Sequence, residues 1–303
     1  MAKPLTSHRP GLGITLRVLA ILLFTIMAAL VKAVSDQVPA GQAVFFRAFF
    51  AIPVTLGWLA LRGELRQGLT TRNPRLHVIR GIVGTSAMVL TFAGLGLLPL
   101  PEVTAIGFAT PIFTVILAVI LLGERIRLVR ISAVLMGLVG VVIVIWPRLG
   151  SGVSTMDAAA LGAGLILVAT LLRALVQIHL RKMVATEHPA TIAFYFSLTA
   201  AILALMSAPF GWVWPAPWVI TLMVLSGLIG GVAQILITSS FRFGPASMLA
   251  PYDYSSMLFS ILIGYVWFDE VPTWMMLGGA LLVILGNGLV VWRERQLQRR
   301  KPA

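Results

Sequence analysis

The chain has 303 residues, 59% of them hydrophobic and 11% charged, with a mean hydropathy of +0.98. Soluble domains carry about 25% charged residues, so this composition lacks the polar surface of a soluble enzyme, a nucleic-acid-binding domain or a disordered tail. The net charge of +13 is therefore tested first against membrane topology. The absence of cysteine excludes disulfides, Cys-ligated zinc, iron–sulfur clusters and a thiol nucleophile.

A membrane-crossing helix needs about 20 mostly apolar residues to span a hydrocarbon core of about 30 Å. Ten such stretches follow one another, over 12–33, 42–61, 77–98, 102–122, 129–146, 157–180, 190–208, 217–239, 247–268 and 272–292. Runs such as Val134–Ile145 are apolar on every face, and the alternation of a membrane β-barrel is absent, so the stretches are expected to be helices. The connectors are short and leave no room for a soluble domain. No small-residue cleavage site follows the first stretch, so a cleaved signal peptide is not expected.

The basic residues set the orientation. With the N-terminus in the cytoplasm, 19 of the 23 Lys and Arg fall at cytoplasmic connectors or tails, including Arg17, the group from Arg62 to Arg80, Arg125 to Arg130, Arg181 and Lys182, and the C-terminal cluster after Arg293. An even number of spans places both termini in the cytoplasm. The exceptions are Arg148 in an outer loop, Lys32 at the outer end of the first stretch, and Arg47 and Arg173 inside apolar segments.

A shift of 146 lays Gly81, Gly84, Pro99, Glu124, Gly140 and Trp146 on Gly227, Gly230, Pro245, Glu270, Gly286 and Trp292; a shift of 150 lays Lys32 on Lys182 and Pro39 on Pro189. Five is odd, so two five-helix halves must run in opposite senses through the membrane. The expected fold is thus all-α and integral to the membrane, with ten transmembrane helices in two inverted five-helix repeats, residues 1–150 and 151–303. Inverted repeats are the construction of alternating-access carriers.

The segment Pro101–Trp146, PEVTAIGFATPIFTVILAVILLGERIRLVRISAVLMGLVGVVIVIW, resembles the fourth and fifth helices of the EamA-type branch of the drug/metabolite transporter superfamily. That branch carries a small-residue and proline stretch, an apolar run, then G-E-R and a glycine-rich helix, here at Gly123–Arg125. Arg47 in FFRAFF resembles an arginine often found early in the family's second helix, while Asp269–Glu270–Val271 replaces G-E-R in the second half. The resemblance implies a carrier of small metabolites, often an amino-acid exporter. Other branches import S-adenosylmethionine or riboflavin. The expected function is secondary transport without ATP, first of all amino-acid efflux across a bacterial-type inner membrane, with uptake of S-adenosylmethionine or riboflavin as the alternative. A lipid scramblase or membrane-embedded enzyme is the alternative of another class.

Ionisable groups inside a bilayer are costly and therefore mark candidate sites. By helical rise, Arg173 and Asp253 both lie about 10 Å from the cytoplasmic face, close enough in depth to pair. Gln177 lies one turn from Arg173, Gln234 falls at a comparable level, and Tyr252 and Tyr254 flank Asp253. Together they form a candidate polar cavity, with an ion pair that merely locks helices as the equal alternative. Arg47, with Lys32 and Glu102, forms a second candidate group towards the outer face; simple snorkelling is the leading reading for Lys32. Phe92 and Tyr195 are candidate cavity aromatics, and Pro111 and Pro251 are candidate hinges. Trp146, Trp212, Trp214, Trp218, Trp274 and Trp292 read as interface anchors. No P-loop or HExxH motif occurs, and the four histidines lack ligand spacing. No catalytic residue, metal or cofactor is expected. The partners are a small-molecule substrate and the lipid bilayer, not nucleic acid, with the oligomeric state left open.

Overall fold

The computed structural model describes residues 10–71, 73–122, 128–149, 158–183, 187–240, 243 and 249–299. Among them it is all-helical: α1 (Pro10–Ala33), α2 (Ala40–Leu61), α3 (Leu65–Leu69), α4 (Pro74–Leu95), α5 (Leu100–Gly107), α6 (Thr110–Leu122), α7 (Leu128–Leu149), α8 (Ala158–Met183), α9 (Pro189–Leu205), α10 (Pro217–Ser240), a 3-10 turn (Ala250–Tyr254), α11 (Ser255–Phe268) and α12 (Trp274–Arg299). Helix falls in each of the ten apolar stretches. Six segments are both long and apolar enough to cross a membrane: Gly11–Ala33, Ala40–Leu61, Pro74–Leu95, Leu100–Leu121, Ala158–Leu180 and Pro217–Ser240. Leu135–Trp146, Ala190–Leu205 and Trp274–Gly286 are shorter apolar helices.

Proline marks the starts of these helices. Pro10, Pro74, Pro189 and Pro217 are first residues, and Pro39 and Pro99 immediately precede α2 and α5. The first turn of a helix has no intrahelical partner for its N–H groups, so the missing proline donor costs nothing there.

Two of the expected continuous spans are interrupted. The stretch 102–122 is divided into α5 and α6 at Phe108–Ala109, where the Ala109 N–H turns back tightly to the Ile106 carbonyl (3.0 Å). Pro111 has no N–H to return to Gly107, and the Thr110 hydroxyl takes over that carbonyl at 2.8 Å. Likewise Pro251 lies in the 3-10 turn that leads into α11. Pro111 thus lies just after one interruption, and Pro251 lies within the other.

The helices interlock across the chain's midpoint. The most extensive contact is α7 with α12, followed by α1 with α10 and α4 with α8; α2 packs on both α9 and α10, and α9 also on α4. The main core runs through Val34, Phe92, Leu95, Leu98, Leu100, Ile106, Ile166, Met223 and Met276. At the α7–α12 crossing, Gly140 and Gly279 face one another. A Cβ added to either would come within 2.6 Å of the other's carbonyl oxygen, and within 2.7 Å of Val283 or Val144 respectively. Only hydrogen side chains allow this approach. Trp146, Trp214, Trp218 and Trp274 are exposed at or near helix ends, as anchors would be, and Trp292 is exposed about two turns inside the end of α12. Trp212 instead packs on Phe45 (5.2 Å) and donates to Ser207 Oγ (3.0 Å).

Candidate functional site

The Asp253 carboxylate is held by Arg17, not Arg173. Arg17 Nε lies 2.6 Å from Oδ1 and its Nη2 lies 2.7 Å from Oδ2, a bidentate clamp from α1 onto the 3-10 turn. Depth along the membrane normal allows Arg173 and Asp253 to meet, but lateral neighbourhood decides the partner, and α1 packs on the 3-10 turn. Arg17 is accordingly a paired, 11%-exposed side chain rather than a free interfacial cation.

Arg173 faces the α5–α6 break. Its Nη1 lies 3.9 Å from where a Cβ on Gly107 would stand, and its Nε is buried with no hydrogen-bond partner. Gln177, one turn on, lies on the exposed surface of α8. Gln234 is half-buried beside Thr55, Trp58, Ala193 and Thr238. Tyr252 is exposed, whereas Tyr254 meets the Phe108 ring edge-on at 5.3 Å, reaching the break from the other half of the chain. Phe92 is buried in the main core and also lines a cavity of about 200 Å³ with Val31, Asp36, Pro39 and Gly96. Tyr195 donates to the Leu69 carbonyl (2.9 Å). The structure thus does not gather these residues into one cluster. Gly123, Glu124, Arg125 and Pro245 lie outside the described residues.

Lys32 does not snorkel. Its Nζ forms an ion pair with Glu270 Oε1 (2.9 Å) and donates to the carbonyls of Leu95 (3.1 Å) and Leu98 (2.6 Å) at the end of α4. Glu270 Oε2 in turn accepts the Leu100 N–H (2.8 Å) at the start of α5. Local backbone geometry presents Glu270 here. Asp269 ends α11 in the left-handed region (φ 53°), and the Glu270 N–H folds back to the Gly264 carbonyl (3.0 Å). Gly264 makes the room, since a Cβ there would lie 2.9 Å from Glu270 Oε2. One ion pair thereby satisfies exposed carbonyls of α4 and an N-terminal donor of α5.

Sequence reasoning missed three buried groups on α4 and its partners. His77 Nε2 lies 3.6 Å from Glu187 Oε2, both side chains being 2% exposed. Glu187 Oε1 accepts the Thr71 hydroxyl (3.0 Å) and the Asn73 N–H (3.1 Å), so it anchors the start of α4. His179 sets a ring nitrogen 3.1 Å from the Leu76 carbonyl. Arg80, counted above among the cytoplasmic charges, is only 8% exposed and stacks on Phe196 with Cζ 4.3 Å from the ring centre. Arg47 is 7% exposed and approaches the same ring at 5.9 Å. The one available signal was that Arg80 falls inside the apolar stretch 77–98.

Among the described residues an all-helical fold, with six helical segments long and apolar enough to cross a membrane, is the construction of a multi-pass membrane protein. The EamA-like transporter family model matches residues 11–146 and 160–292, and the chain belongs to that family. It is thus a transporter rather than an enzyme. It is 27% identical to an S-adenosylmethionine uptake transporter of Rickettsia bellii over 270 residues, 89% of this chain and 90% of that one. It is 27% identical to the pseudopaline exporter CntI of Pseudomonas aeruginosa, covering 90% and 93%. It is 30% identical to solute carrier family 35 member G1 of Mus musculus, covering 92% and 77%. A solved crystal structure superposes with a TM-score of 0.66 at 21% identity over 94% of this chain and 98% of that one, a likeness of fold.

Proposed function

We propose that the chain is an alternating-access secondary carrier built from two inverted five-helix repeats, 1–150 and 151–303, in a bacterial-type inner membrane with both termini cytoplasmic. The observation that carries this reading is the packing pattern. Exchange the halves, so that α1, α2, α4 and α7 trade places with α8, α9, α10 and α12. The contact α1–α10 then becomes α8–α4, α2–α10 becomes α9–α4, and α2–α9 and α7–α12 map onto themselves; all of these contacts occur. The family model's two separate matches, one in each half, support the same division. At the α7–α12 crossing Gly140 meets Gly279 and Val283, and Gly279 meets Gly140 and Val144, a reciprocal arrangement. Interfaces that map onto themselves are the natural pivots for rocking one half against the other.

The substrate is a small metabolite containing an amino-acid moiety. Amino-acid efflux is the first expectation from the sequence, and the S-adenosylmethionine uptake relatives extend the class to a larger amino-acid derivative. Arg173, at the α5–α6 break, and Asp253, clamped by Arg17, bracket the substrate path with Tyr254. Pro111 and Pro251 are the points at which the broken helices bend.

Counterflow in proteoliposomes tests the reading. Wild-type protein should exchange external labelled S-adenosylmethionine or labelled L-amino acids against an unlabelled internal pool. Arg173→Ala and Asp253→Ala should lose exchange while still eluting as monodisperse folded protein. Exchange of neither class by folded wild type overturns the carrier reading, and normal exchange by both variants overturns the site.

A further inference from the structure

Arg47 on α2 and Arg80 on α4 reach the two ends of one problem. Both side chains are more than nine-tenths buried, and both guanidiniums converge on the Phe196 ring of α9. Three of their nitrogens, Arg47 Nε and Arg80 Nε and Nη1, are buried with no hydrogen-bond partner. Among the described residues no carboxylate pairs with either group; the ion pairs lie elsewhere, at Arg17–Asp253, Lys32–Glu270 and His77–Glu187. Glycines shape the surroundings. Gly84 admits the Phe196 ring, since a Cβ there would stand 2.8 Å from it, and Gly230 admits Met27 and Arg47, whose Sδ and Nε lie 2.8 and 3.5 Å from its would-be Cβ.

Two like charges buried side by side with orphaned donors are strongly destabilised. An anion placed between them reverses the sign of every term at once. It offsets both charges and takes up open donors from both arginines. A carboxylate suits this, having two oxygens and about four acceptor sites, one oxygen for each guanidinium. The Phe196 face closes the remaining side with apolar surface suited to the carbon stem behind the carboxylate.

We propose that Arg47, Arg80 and Phe196 form the recognition site for a carboxylate on the transported solute. This rests on the carrier reading above and assigns the residues that hold the carboxylate of its amino-acid moiety. Arg80 and Arg47 supply one charge each and the open donors, and Phe196 is the wall that orients both guanidiniums by cation–π contact.

The test is thermal unfolding of the purified full chain in detergent at fixed chloride. The additives are the L-amino acids and S-adenosylmethionine, each compared with its carboxamide counterpart. At least one carboxylate should raise the Tm of wild type while its carboxamide does not, and the shift should vanish in Arg80→Gln and in Arg47→Gln. Arg80→Lys, which keeps the charge without the planar guanidinium, should retain a reduced shift. Without ligand, Arg80→Gln should melt no lower than wild type, because it removes an uncompensated buried charge; a merely structural clamp on Phe196 predicts a lower Tm. The proposal is overturned if no carboxylate stabilises the protein, if carboxamides do so equally, if chloride alone accounts for the shift, or if both Gln variants keep it. Counterflow separates this from the carrier reading. A solute without a carboxylate that exchanges equally through wild type and Arg80→Gln sinks the carboxylate site and leaves the carrier standing. Carboxylate stabilisation without exchange of any solute does the reverse.

Discussion

Glu270→Ala should lower the unfolding free energy by about 3–5 kcal/mol, the range for removing one partner of a shielded ion pair. Lys32 and Glu270 are each 13% exposed and lie 2.9 Å apart, so the remaining ammonium has little access to water. The Leu95 and Leu98 carbonyls still accept from it, but neither neutralises its charge. The substitution also strips the Leu100 N–H of its 2.8 Å acceptor at the head of α5. Four chain segments meet at this point: the end of α1, the end of α4, the start of α5 and the link from α11 to α12. Denaturant unfolding of the purified protein measures the cost. Lys32→Ala combined with Glu270→Ala should cost less than the two single changes added together, because the stranded charge is removed as well. Glu270→Gln, which keeps an acceptor for Leu100, should fall between wild type and alanine. A cost under about 1 kcal/mol, the range of exposed pairs, would show that the tie is not shielded.

Gly279→Ala and Gly278→Ala, one residue apart on α12, should move stability in opposite directions. The Cβ added at 279 would stand 2.6 Å from the Gly140 carbonyl oxygen, 2.7 Å from Val144 Cγ2 and 3.0 Å from the Val144 nitrogen. Two of those neighbours are backbone and cannot rotate away, so α7 and α12 must separate. Overpacking of this kind costs about 1–3 kcal/mol. Position 278 has nothing within 4 Å of the added carbon. There alanine simply gains helix propensity, up to about 1 kcal/mol. Gly140→Ala should match Gly279→Ala, since each meets the other's carbonyl at the same distance. Thermal melts of the three variants check the signs. Equal effects at 278 and 279 would rule out the close crossing. If α7–α12 is the pivot of the carrier, Gly140→Ala and Gly279→Ala should also slow counterflow more than they reduce the amount of folded protein.

Much of the helical layout was legible because it depends on local sums. Helix formation in an apolar stretch follows from the need to satisfy backbone groups internally, and the proline positions announce where helices start. Pro111 and Pro251 were singled out from the sequence as points of bending, but the division of 102–122 into separate helices was not legible, because it also required Thr110 to take over the Gly107 carbonyl. Depth could also be read, by counting residues along a helix. Lateral position could not. Asp253 and Arg173 share a depth, yet Asp253 meets Arg17, 236 residues away in the chain. Charge counting placed Arg80 at the cytoplasmic rim and Lys32 at the outer interface. In the folded chain one lies buried against Phe196 and the other is tied to Glu270.

The sequence by itself determined that this is an apolar, helical membrane chain of the EamA type, because composition, span length and the Pro101–Trp146 pattern survive any arrangement of the helices. Only the tertiary structure decided which charges pair and which are left open. Pairing is a property of side chains from distant segments meeting at one point, and no periodicity along the chain encodes the neighbour across the bundle. Arg17 was an ordinary member of a basic count, and Lys32 a snorkelling interfacial cation, until packing gave them partners. Arg47 was already a candidate, and Arg80 joined it because packing gives neither a carboxylate among the described residues.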